Sequence, residues 1–567
     1  MAMAMAATTR LALAPTLPAL RSRTIALALA PAAAAGAAAA QRRCSSSTAT
    51  SALGPMHELH TRGLIQHTTS RALTPHLHSP TTTPRTIYLG IDPSAPSLHL
   101  GNLLPLFALF HLAHAGHRCI ALVGGATGSI GDPSGRKSER SALDSAVLER
   151  NLDGIVHQLC DFFGKASEWA AQNLPPSPPS EATRGQRNEW EEVQSLLKRK
   201  ETLAAIKVGH GSVFVVNNRP FYEQMNILGF LSGVGRHVRI GDMLARDSVK
   251  RRIQPTPSNP NPPGLSFTEF SYQLLQAYDF SLLHASPWNC TVQIGGSDQL
   301  GNIMAGIELI RREGIPSNPA TPSAPAESGS TSESAAPAYG LTVPLLTTST
   351  GAKFGKSAGN AVWLDPALTS DLDLYQYFLR SVTDADVSSL LSKLTLLPPD
   401  ARSQEHLTEQ ATDSETSAAK GTKWPRAAQT VLASHLTTLL RGDQALERAK
   451  QASSILFSSS SYTSLPRSTI EHVFQGLPNL KRLPRAHLLG KEVWKVVADV
   501  GLAKSRAEAR RTLVNGGVYL NSVGVGKAEL GRCVVEADLL GRDGKGDAPG
   551  FLVVQSGKGS HAVILVD

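Results

Sequence analysis

Polar and cationic side chains stand beside glycines at two places in this 567-residue chain. His99 and Asn102 bracket a Leu-Gly pair, and Lys353 and Lys356 bracket a Phe-Gly pair. The first pair stands where a helix is predicted to begin, and a helix N-terminus offers unpaired N–H groups and a partial positive charge, which suit a phosphate. Lysines on a glycine-containing loop are mobile point charges, which suit a pyrophosphate as it leaves. Both places therefore indicate phosphate chemistry by positioning and charge stabilisation.

Three further polar residues, Tyr272, Gln276 and Asp279, follow a helical i, i+4, i+7 spacing. They share one face of a predicted helix whose other residues are largely apolar. A polar stripe in such a segment points into a pocket rather than to solvent. Residues 293–299 then place a Gly-Gly-Ser-Asp turn behind an apolar strand, and a carboxylate beside glycines suits a ribose hydroxyl.

Alternating strands and helices must position these residues. Residues 86–91 are β-branched and apolar and predict a buried strand, residues 92–97 predict a loop, and His99 opens a helix with Pro105 in its first turn. Residues 119–123 predict the next strand. Strand, helix and strand at this spacing indicate a parallel sheet with a right-handed crossover, and ligands then sit beyond the carboxyl ends of the strands.

Five segments, in order along the chain, resemble the motifs of tyrosyl-tRNA synthetases, a branch of the class I aminoacyl-tRNA synthetases. Residues 88–102 are similar to the HIGH region and residues 353–357 to the KMSKS loop, and the others are residues 121–140, 267–279 and 293–299. The resemblance runs from about Arg62 to the C-terminus, with inserts. It implies an α/β fold with a Rossmann-like parallel-sheet catalytic domain, a helical anticodon-binding domain and a C-terminal S4-like α+β RNA-binding domain.

The resemblance also implies roles for individual residues. The implied catalytic residues are His99, Asn102, Lys353 and Lys356. The implied tyrosine-binding residues are Tyr88, Asp132, Tyr272, Gln276, Asp279 and Gln293. Among them, Tyr88 and Asp279 would bind the phenolic hydroxyl, and Asp132 the ammonium group. The implied ATP-binding residues are Asp92, His99, Asn102, Gly296, Asp298 and Lys356. The chain departs from the usual histidine, asparagine and tryptophan of the family at Asn102, Gly241 and Leu300.

The implied activity is that of a tyrosine–tRNA ligase, which makes tyrosyl-adenylate and pyrophosphate from L-tyrosine and ATP and then transfers tyrosine to the 3′ end of tRNA(Tyr). Mg²⁺ would accompany the ATP, and no protein-bound metal or organic cofactor is expected. The family acts as a homodimer, which implies the same here. Two alternatives remain: a tryptophanyl-tRNA synthetase, and an RNA-binding intron-splicing cofactor built on the same fold.

Residues 1–50 contain five arginines and no acidic residue in an Ala/Ser/Thr-rich background. This composition is typical of a mitochondrial transit peptide, which predicts a disordered leader and a destination in the mitochondrial matrix. A disordered cytosolic tail and a chloroplast address are the alternatives. No unbroken apolar run reaches about eighteen residues, which argues against a membrane span. Five scattered cysteines without a C-x-x-C pair argue against a zinc site or a disulfide framework.

A basic helix stands near the C-terminus. Residues 505–508 form a capping box that begins it, and a strand is predicted at residues 518–521. Between residues 481 and 511, nine lysines or arginines face three acidic residues. Basic helix and strand resemble the S4-like RNA-binding module, with an ordinary solvated helix as the alternative. The predicted tRNA-binding residues on the helix are Arg506, Arg510 and Arg511.

Four parts of the chain are thus predicted. They are a transit peptide (residues 1–50), the Rossmann-like catalytic domain (51–364), the helical anticodon-binding domain (365–480) and the S4-like domain (481–567). Three Pro- or Ser-rich inserts in the catalytic domain are predicted to be disordered, residues 174–188, 253–264 and 316–337.

Overall fold

The structure is a computed structural model that describes residues 54–78, 84–134, 143–174, 195–255, 260–262, 264–314, 337–349, 351, 354, 356–357, 360–402, 426–457, 464–541, 550–557 and 559–567. The predicted transit peptide, the central parts of the three predicted inserts, and Lys353 lie outside these residues. Within them, no helix combines the length and the hydrophobicity that crossing a bilayer requires.

Seven strands form the central sheet: β1 His67–Thr68, β2 Thr86–Ile91, β3 Arg118–Val123, β4 Thr202–Val208, β5 Gly211–Asn217, β6 Cys290–Gly296 and β7 Tyr339–Val343. Their order across the sheet is β1-β7-β6-β2-β3-β5-β4. The five middle strands run parallel, and β1 and β4 pair antiparallel at the two edges. The α/β class with a parallel-sheet core, predicted from the sequence, is confirmed.

The helices described in the same part of the chain are α1 Pro55–Thr61, α2 Leu73–His76, α3 Leu103–Ala115, α4 Ser145–Asn173, α5 Arg219–Tyr222, α6 Ile227–Gly233, α7 Ile240–Leu244, α8 Asp247–Ile253, α9 Phe267–His284 and α10 Leu300–Glu313. Helix α9 carries the predicted polar stripe. It begins at Ser266, whose hydroxyl accepts a hydrogen bond from the Glu269 N–H and so satisfies one of the free donors of the first turn.

The predicted β2–α3–β3 unit is present. A 3-10 turn, Leu100–Asn102, leads from the loop after β2 into α3, and Pro105 lies in the first turn of α3, where no N–H is needed. Gly116 follows α3 with a φ of 123°, a conformation that favours glycine. Ten of the thirteen residues of α3 are buried, so this helix lies inside the core rather than on it. The loop that carries His99 therefore runs between two buried elements, β2 and α3.

Helices also fill the region that was predicted to be helical. They are α11 Asp371–Ser381, α12 Asp384–Leu394, α13 Ala427–Arg441, α14 Asp443–Phe457 and α15 Arg467–Phe474. Hydroxyls of Ser370 and Thr383 cap the first two of them. Buried leucines of α11, α12 and α13 belong to the same hydrophobic core as α3 and the sheet. The catalytic and helical regions thus share one continuous interior.

Two short strands, β8 Lys356–Ser357 and β9 Asn360–Ala361, pair antiparallel between the central sheet and α11. A second sheet forms near the C-terminus from β10 Leu480–Leu483, β11 Val518–Leu520, β12 Val523–Val525, β13 Phe551–Ser556 and β14 Ser560–Val566, in the order β10-β14-β13-β11-β12. Helices α16 Arg485–Leu488, α17 Val493–Asp499 and α18 Arg506–Val514 accompany it. One face of this sheet packs on α17 and α18, and the other packs on α14 and α15.

The first half of the predicted capping box is present in α18, and its second half is shifted by one residue, from Ser505 to Lys504. The Ser505 hydroxyl accepts a hydrogen bond from the Glu508 N–H at 3.2 Å, and the Glu508 carboxylate accepts one from the Lys504 N–H. Strand β11 follows after a turn, one residue shorter than predicted.

Candidate active site

A cavity of about 410 Å³ lies at the carboxyl ends of the parallel strands, where the topology predicts it. Ten of the predicted site residues line it, and eight of these come from outside the turn after β6. They are Tyr88, Asp92, His99, Asn102, Asp132, Tyr272, Gln276 and Asp279. Gly296 and Asp298, from the turn after β6, line it as well. Loops far apart in the sequence therefore converge on one cavity.

His99 and Asn102 are held together by a local hydrogen bond. The Asn102 side-chain oxygen accepts a hydrogen bond from the His99 N–H at 3.0 Å and closes the turn before α3. The His99 imidazole lies over Gly101. A Cβ added at residue 101 would stand only 2.9 Å from imidazole Cε1. This turn needs a glycine to keep the imidazole in place. Asn102, which stands where the family usually has histidine, thus caps the turn through its side-chain oxygen.

The hairpin of β8 and β9, which begins within the predicted loop of residues 353–357, lies against the same wall of the cavity. The backbone of Lys356 pairs with Ala361, which lines the cavity, and His99 forms a β-bridge with Trp363. The Leu100 N–H donates to the Val362 carbonyl at 3.1 Å. The structure thus brings the backbone of Lys356 and His99 to one wall, although Lys353 and the Lys356 side chain are not among the described atoms.

The segment after this loop is held by an arginine from the helical region. Arg441, at the end of α13, is 6% exposed and makes an ion pair with Asp371. Its guanidinium donates to the carbonyl oxygens of Leu364 and Thr369, the latter at 3.2 Å. Because Trp363 bridges to His99, α13 helps to fix the wall that carries His99.

One end of the cavity is built to meet a hydroxyl group. Asp279 Oδ2 accepts a hydrogen bond from the Asn218 amide at 2.9 Å, and Oδ1 lies 2.8 Å from the Tyr222 hydroxyl. Tyr88 is 1% exposed, and its hydroxyl has no hydrogen-bond partner among the described residues. Burial, and then the nearby Asp279, raise the pKa of Tyr88 well above its usual value, so Tyr88 stays a donor. Because Tyr88 lines the cavity, this donor is available to a ligand atom there.

A second cluster in the cavity is built around a carboxylate. Asp132 accepts hydrogen bonds from the Ser134 N–H at 2.8 Å and from the Gln299 amide at 2.7 Å. Gln276 is linked to both Gln299 and Asn302 through their side-chain amides. An anion set among amide groups suits an ammonium group.

Asp92 joins the two ends of the cavity. Its carboxylate accepts hydrogen bonds from the Tyr272 hydroxyl at 2.7 Å and from the Thr127 hydroxyl at 2.9 Å. Gly124 lies so close that a Cβ there would stand 2.1 Å from Asp92 Oδ1. Burial, and then Asp92, raise the pKa of Tyr272 well above its usual value, so this phenol also stays a donor.

Four predicted site residues lie elsewhere. Gln293 is 1% exposed on β6, opposite Tyr88 in the register, and does not line the cavity. The three arginines Arg506, Arg510 and Arg511 are exposed on α18, outside the cavity. Their predicted role is on tRNA, so this position is compatible with it.

Sequence reasoning missed five residues around the cavity, namely Thr127, Asn218, Tyr222, Gln299 and Asn302. Asn218 follows β5 at its carboxyl end, and Asn302 stands one helical turn after Gln299, so strand-end position and i, i+3 spacing could have indicated both. No local pattern marks Tyr222, whose partner lies 57 positions away in the chain.

Asp279 makes the stability of the folded protein depend on pH. Burial raises the pKa of its carboxyl to about 7, because the ionised form loses its water. In the unfolded chain an aspartate has a pKa of about 3.9. Between these values the folded protein holds a proton that the unfolded chain has lost, so a rise in pH through this window destabilises the fold.

The variant Asp279→Asn has no carboxyl to ionise. We expect it to be stabilised relative to the parent by about 2–3 kcal/mol more at pH 8 than at pH 5. Urea denaturation of both proteins at the two pH values measures this difference. An equal effect of the substitution at pH 5 and pH 8 would contradict it.

Within the described residues, no group of three or more histidine, cysteine, aspartate or glutamate side chains is placed to hold a metal ion.

Comparison with known proteins places this arrangement among relatives. Residues 80–458 match the family model described as tRNA synthetases class I (W and Y). The chain is 34% identical over 508 residues to the chloroplastic/mitochondrial tyrosine–tRNA ligase of Arabidopsis thaliana, covering 90% of this chain and 83% of the relative. It is 36% identical over 444 residues to the mitochondrial tyrosine–tRNA ligase of Drosophila melanogaster, covering 77% and 80%.

Two solved structures of mitochondrial tyrosyl-tRNA synthetases are similar to this chain. The C-terminally truncated mitochondrial tyrosyl-tRNA synthetase of Aspergillus nidulans matches with a TM-score of 0.53 at 28% identity, covering 70% of this chain and 93% of that one. The corresponding Coccidioides posadasii structure matches with a TM-score of 0.51 at 31% identity, covering 70% and 91%.

Proposed function

This chain belongs to the class I tRNA synthetase family that serves tryptophan and tyrosine, and we infer that within it the chain is a tyrosine–tRNA ligase, an ATP-dependent aminoacyl-tRNA synthetase. The observation that favours tyrosine over tryptophan as the substrate is the pair of Tyr88 and Asp279 at one end of the cavity. A phenolic hydroxyl can accept from Tyr88 and donate to Asp279, whereas an indole N–H can only donate and would leave Tyr88 without an acceptor. The tryptophan alternative is not favoured, and neither is a role solely in intron splicing.

The reaction has two steps. The carboxylate of tyrosine attacks the α-phosphate of ATP, which forms tyrosyl-adenylate and releases pyrophosphate. A hydroxyl of the 3′-terminal adenosine of tRNA(Tyr) then attacks the acyl carbon and releases AMP. Neither step needs a covalent enzyme nucleophile, so the site has to position the reactants and stabilise developing charge.

We propose the following roles for the cavity residues. Asp132, with Gln276 and Tyr272, would hold the ammonium group of tyrosine, while Tyr88 and Asp279 would hold its hydroxyl. Their support is the carboxylate among amides at one cluster and the partnerless buried hydroxyl at the other. Gln293 would also contact tyrosine; it lies beside Tyr88 in the sheet, and its buried side-chain oxygen has no hydrogen-bond partner among the described residues.

ATP would occupy the rest of the cavity. Asp298 beside Gly296 suits ribose hydroxyls, because a glycine there leaves room for close approach; a Cβ on Gly296 would stand 2.6 Å from the Asp298 carboxylate. His99, Asn102, Lys353 and Lys356 would stabilise the triphosphate and the departing pyrophosphate, with Asp92 nearby. Mg²⁺ would arrive with the ATP phosphates rather than in a protein site.

The C-terminal region would bind tRNA. The arginines of α18, Arg506, Arg510 and Arg511, are exposed; within the described residues Arg506 and Arg511 make no ion pair, and Arg510 lies near Glu492. Cations without carboxylate partners are available to phosphates. Residues 365–480 would contact the anticodon region and residues 481–567 would form the S4-like domain.

The protein would act as a homodimer. Helix α6 has no buried residue, and three of its large apolar side chains, Ile227, Leu228 and Leu231, are 49% to 74% exposed. Such a concentration of exposed apolar groups marks an interface, and the occupant that fits the family is a second copy of the chain. The double substitution Ile227→Glu, Leu228→Glu is expected to convert dimers to monomers in light scattering. Val523→Glu, an equally exposed apolar site on the C-terminal sheet, is the control that should stay dimeric.

The chain works in mitochondria, as its mitochondrial relatives indicate. The composition of residues 1–50 supports the finer proposal of import into the matrix. Exchange of labelled pyrophosphate into ATP, run with each standard amino acid, tests the function as a whole. We expect exchange with tyrosine alone; exchange with tryptophan, or none with any amino acid, would refute it.

A further inference from the structure

Tyr222 lies behind the hydroxyl end of the cavity, at the end of the short helix α5. Its hydroxyl lies 2.8 Å from Asp279 Oδ1 and 2.9 Å from the carbonyl oxygen of Leu275, one turn earlier on α9. We propose that Tyr222 is a positioning residue for tyrosine recognition, and that in the empty site Asp279 is a neutral carboxylic acid whose proton is donated to the Tyr222 hydroxyl. This proposal deepens the tyrosine–tRNA ligase function and rests on it only where tyrosine binding is concerned.

The Tyr222 hydroxyl has too few hydrogens to donate to both of its neighbours. A phenol carries one hydrogen, and a peptide carbonyl can only accept. If Asp279 were ionised, Tyr222 would have one hydrogen for two acceptors, and one of its two short contacts would bring lone pairs together. If Asp279 is neutral, its O–H donates to Tyr222 and Tyr222 donates to Leu275. Only the second arrangement makes both contacts hydrogen bonds.

The other carboxyl oxygen leaves no second place for the proton. The orientation of the Asn218 amide is set by its own oxygen, which accepts a hydrogen bond from the Ala126 N–H at 2.9 Å. Its NH₂ group therefore faces Asp279 Oδ2 and donates to it at 2.9 Å. A proton on Oδ2 would have no acceptor among the described residues, so the proton belongs on Oδ1.

Burial and the like charge of Asp92 favour the neutral form of Asp279, whereas the Asn218 hydrogen bond, and that of Tyr222 if it were the donor, favour the ionised form. The titratable groups that face it are Tyr88 from β2, Tyr222 from α5, Tyr272 and Tyr278 from α9, and Asp92 after β2. No lysine, arginine or histidine of the described chain contributes to its pKa. The neighbours of Asp279 are thus four phenols and one like charge, so an anion here has no cationic partner. Burial raises the pKa of Asp279 to about 7.

The proton on Asp279 decides how strongly the cavity accepts the substrate hydroxyl. An ionised carboxylate is a stronger acceptor than a neutral acid. As the pH rises through the midpoint, Asp279 releases its proton to solvent, and we expect tyrosine to bind about fivefold more tightly. Phenylalanine has no hydroxyl and should bind with the same affinity on both sides of the midpoint.

The proton itself can be observed without any substrate. Infrared difference spectra of the full chain against Asp279→Asn, in the absence of ligand at about pH 6, should show the carbonyl stretch of a protonated acid only in the parent protein. The band should disappear at about pH 8.5. Its absence at pH 6 would overturn the proposal whether or not the protein activates tyrosine.

The variant Tyr222→Phe tests the direction of the hydrogen bond. It removes the acceptor of the Asp279 proton, so the neutral acid loses a partner and the midpoint of the infrared titration should fall by roughly one pH unit. If Tyr222 instead donates to an ionised Asp279, the same variant must raise the midpoint. An unchanged midpoint would equally refute the proposal. Tyr278→Phe, which removes a phenol hydroxyl next to Asp279 on the same helix, is the matched control and should leave the midpoint near that of the parent.

Equilibrium dialysis with labelled tyrosine, from about pH 5.5 to 8, completes the test. The affinity should follow the infrared midpoint in the parent, and the midpoint of both should move together in Tyr222→Phe. A pH-independent affinity beside a normal infrared titration would refute the positioning role. If tyrosine does not bind at all, the proposed function fails while the infrared result still decides where the proton lies.

Discussion

Asp279→Ala is expected to fold normally and to lose most of its discrimination between tyrosine and phenylalanine. Asp279 and Tyr88 line the same end of the cavity, and both are almost fully buried. A site built to bind a hydroxyl rejects the analogue without it, because the buried polar groups are then left unpaired; in tyrosine enzymes of this same family the established ratio is about 10⁵. Without Asp279 we expect this ratio of kcat/KM to fall by about 10², since a buried hydrogen-bond partner of the hydroxyl is removed.

Activation kinetics with each amino acid measure this loss. Asp132→Asn is the matched control, because Asp132 lies in the cavity at the cluster that would meet the ammonium group. Its loss should weaken tyrosine and phenylalanine alike and leave their ratio nearly unchanged. An Asp279→Ala enzyme that still rejected phenylalanine as strongly as the parent would rule out the hydroxyl role.

His99→Ala should slow tyrosine activation by about 10²–10³, the usual loss for one donor that acts mainly in the transition state. The imidazole lies over Gly101, in the segment that bridges to Trp363, and makes no hydrogen bond to Tyr88 or Asp279 among the contacts of the described residues. Tyrosine affinity should therefore change little, and the loss should appear in the rate constant of activation.

Single-turnover formation of tyrosyl-adenylate separates the rate from the affinity. His60→Ala removes an exposed histidine on α1 and should behave like the parent. A His99→Ala protein with near-normal turnover would remove His99 from the list of catalytic residues. A large increase in the tyrosine dissociation constant would assign His99 to tyrosine binding instead.

Local patterns in the sequence were sufficient for much of the architecture. The apolar run of β2, the helix start at residues 99–102 and the i, i+4, i+7 stripe on α9 each depend on contacts within a few residues, so the sequence expresses them directly. The capping box of α18 is local in the same way. Residues recognised by resemblance, such as Asp132 and Asp298, also came together in the cavity.

What the tertiary structure alone decided is which side chains share hydrogen bonds across the chain. Tyr222 meets Asp279 from 57 positions away, Gln299 meets Asp132 from 167, and Tyr272 meets Asp92 from 180. Arg441 reaches the wall of His99 from a different region altogether. Spacing in the sequence is silent about such pairs, because they are set by how strands and helices pack. The sequence by itself thus determined the class of fold, the family and ten of the residues that line the cavity; the packing of α5 against α9 decided that Tyr222 lies against Asp279.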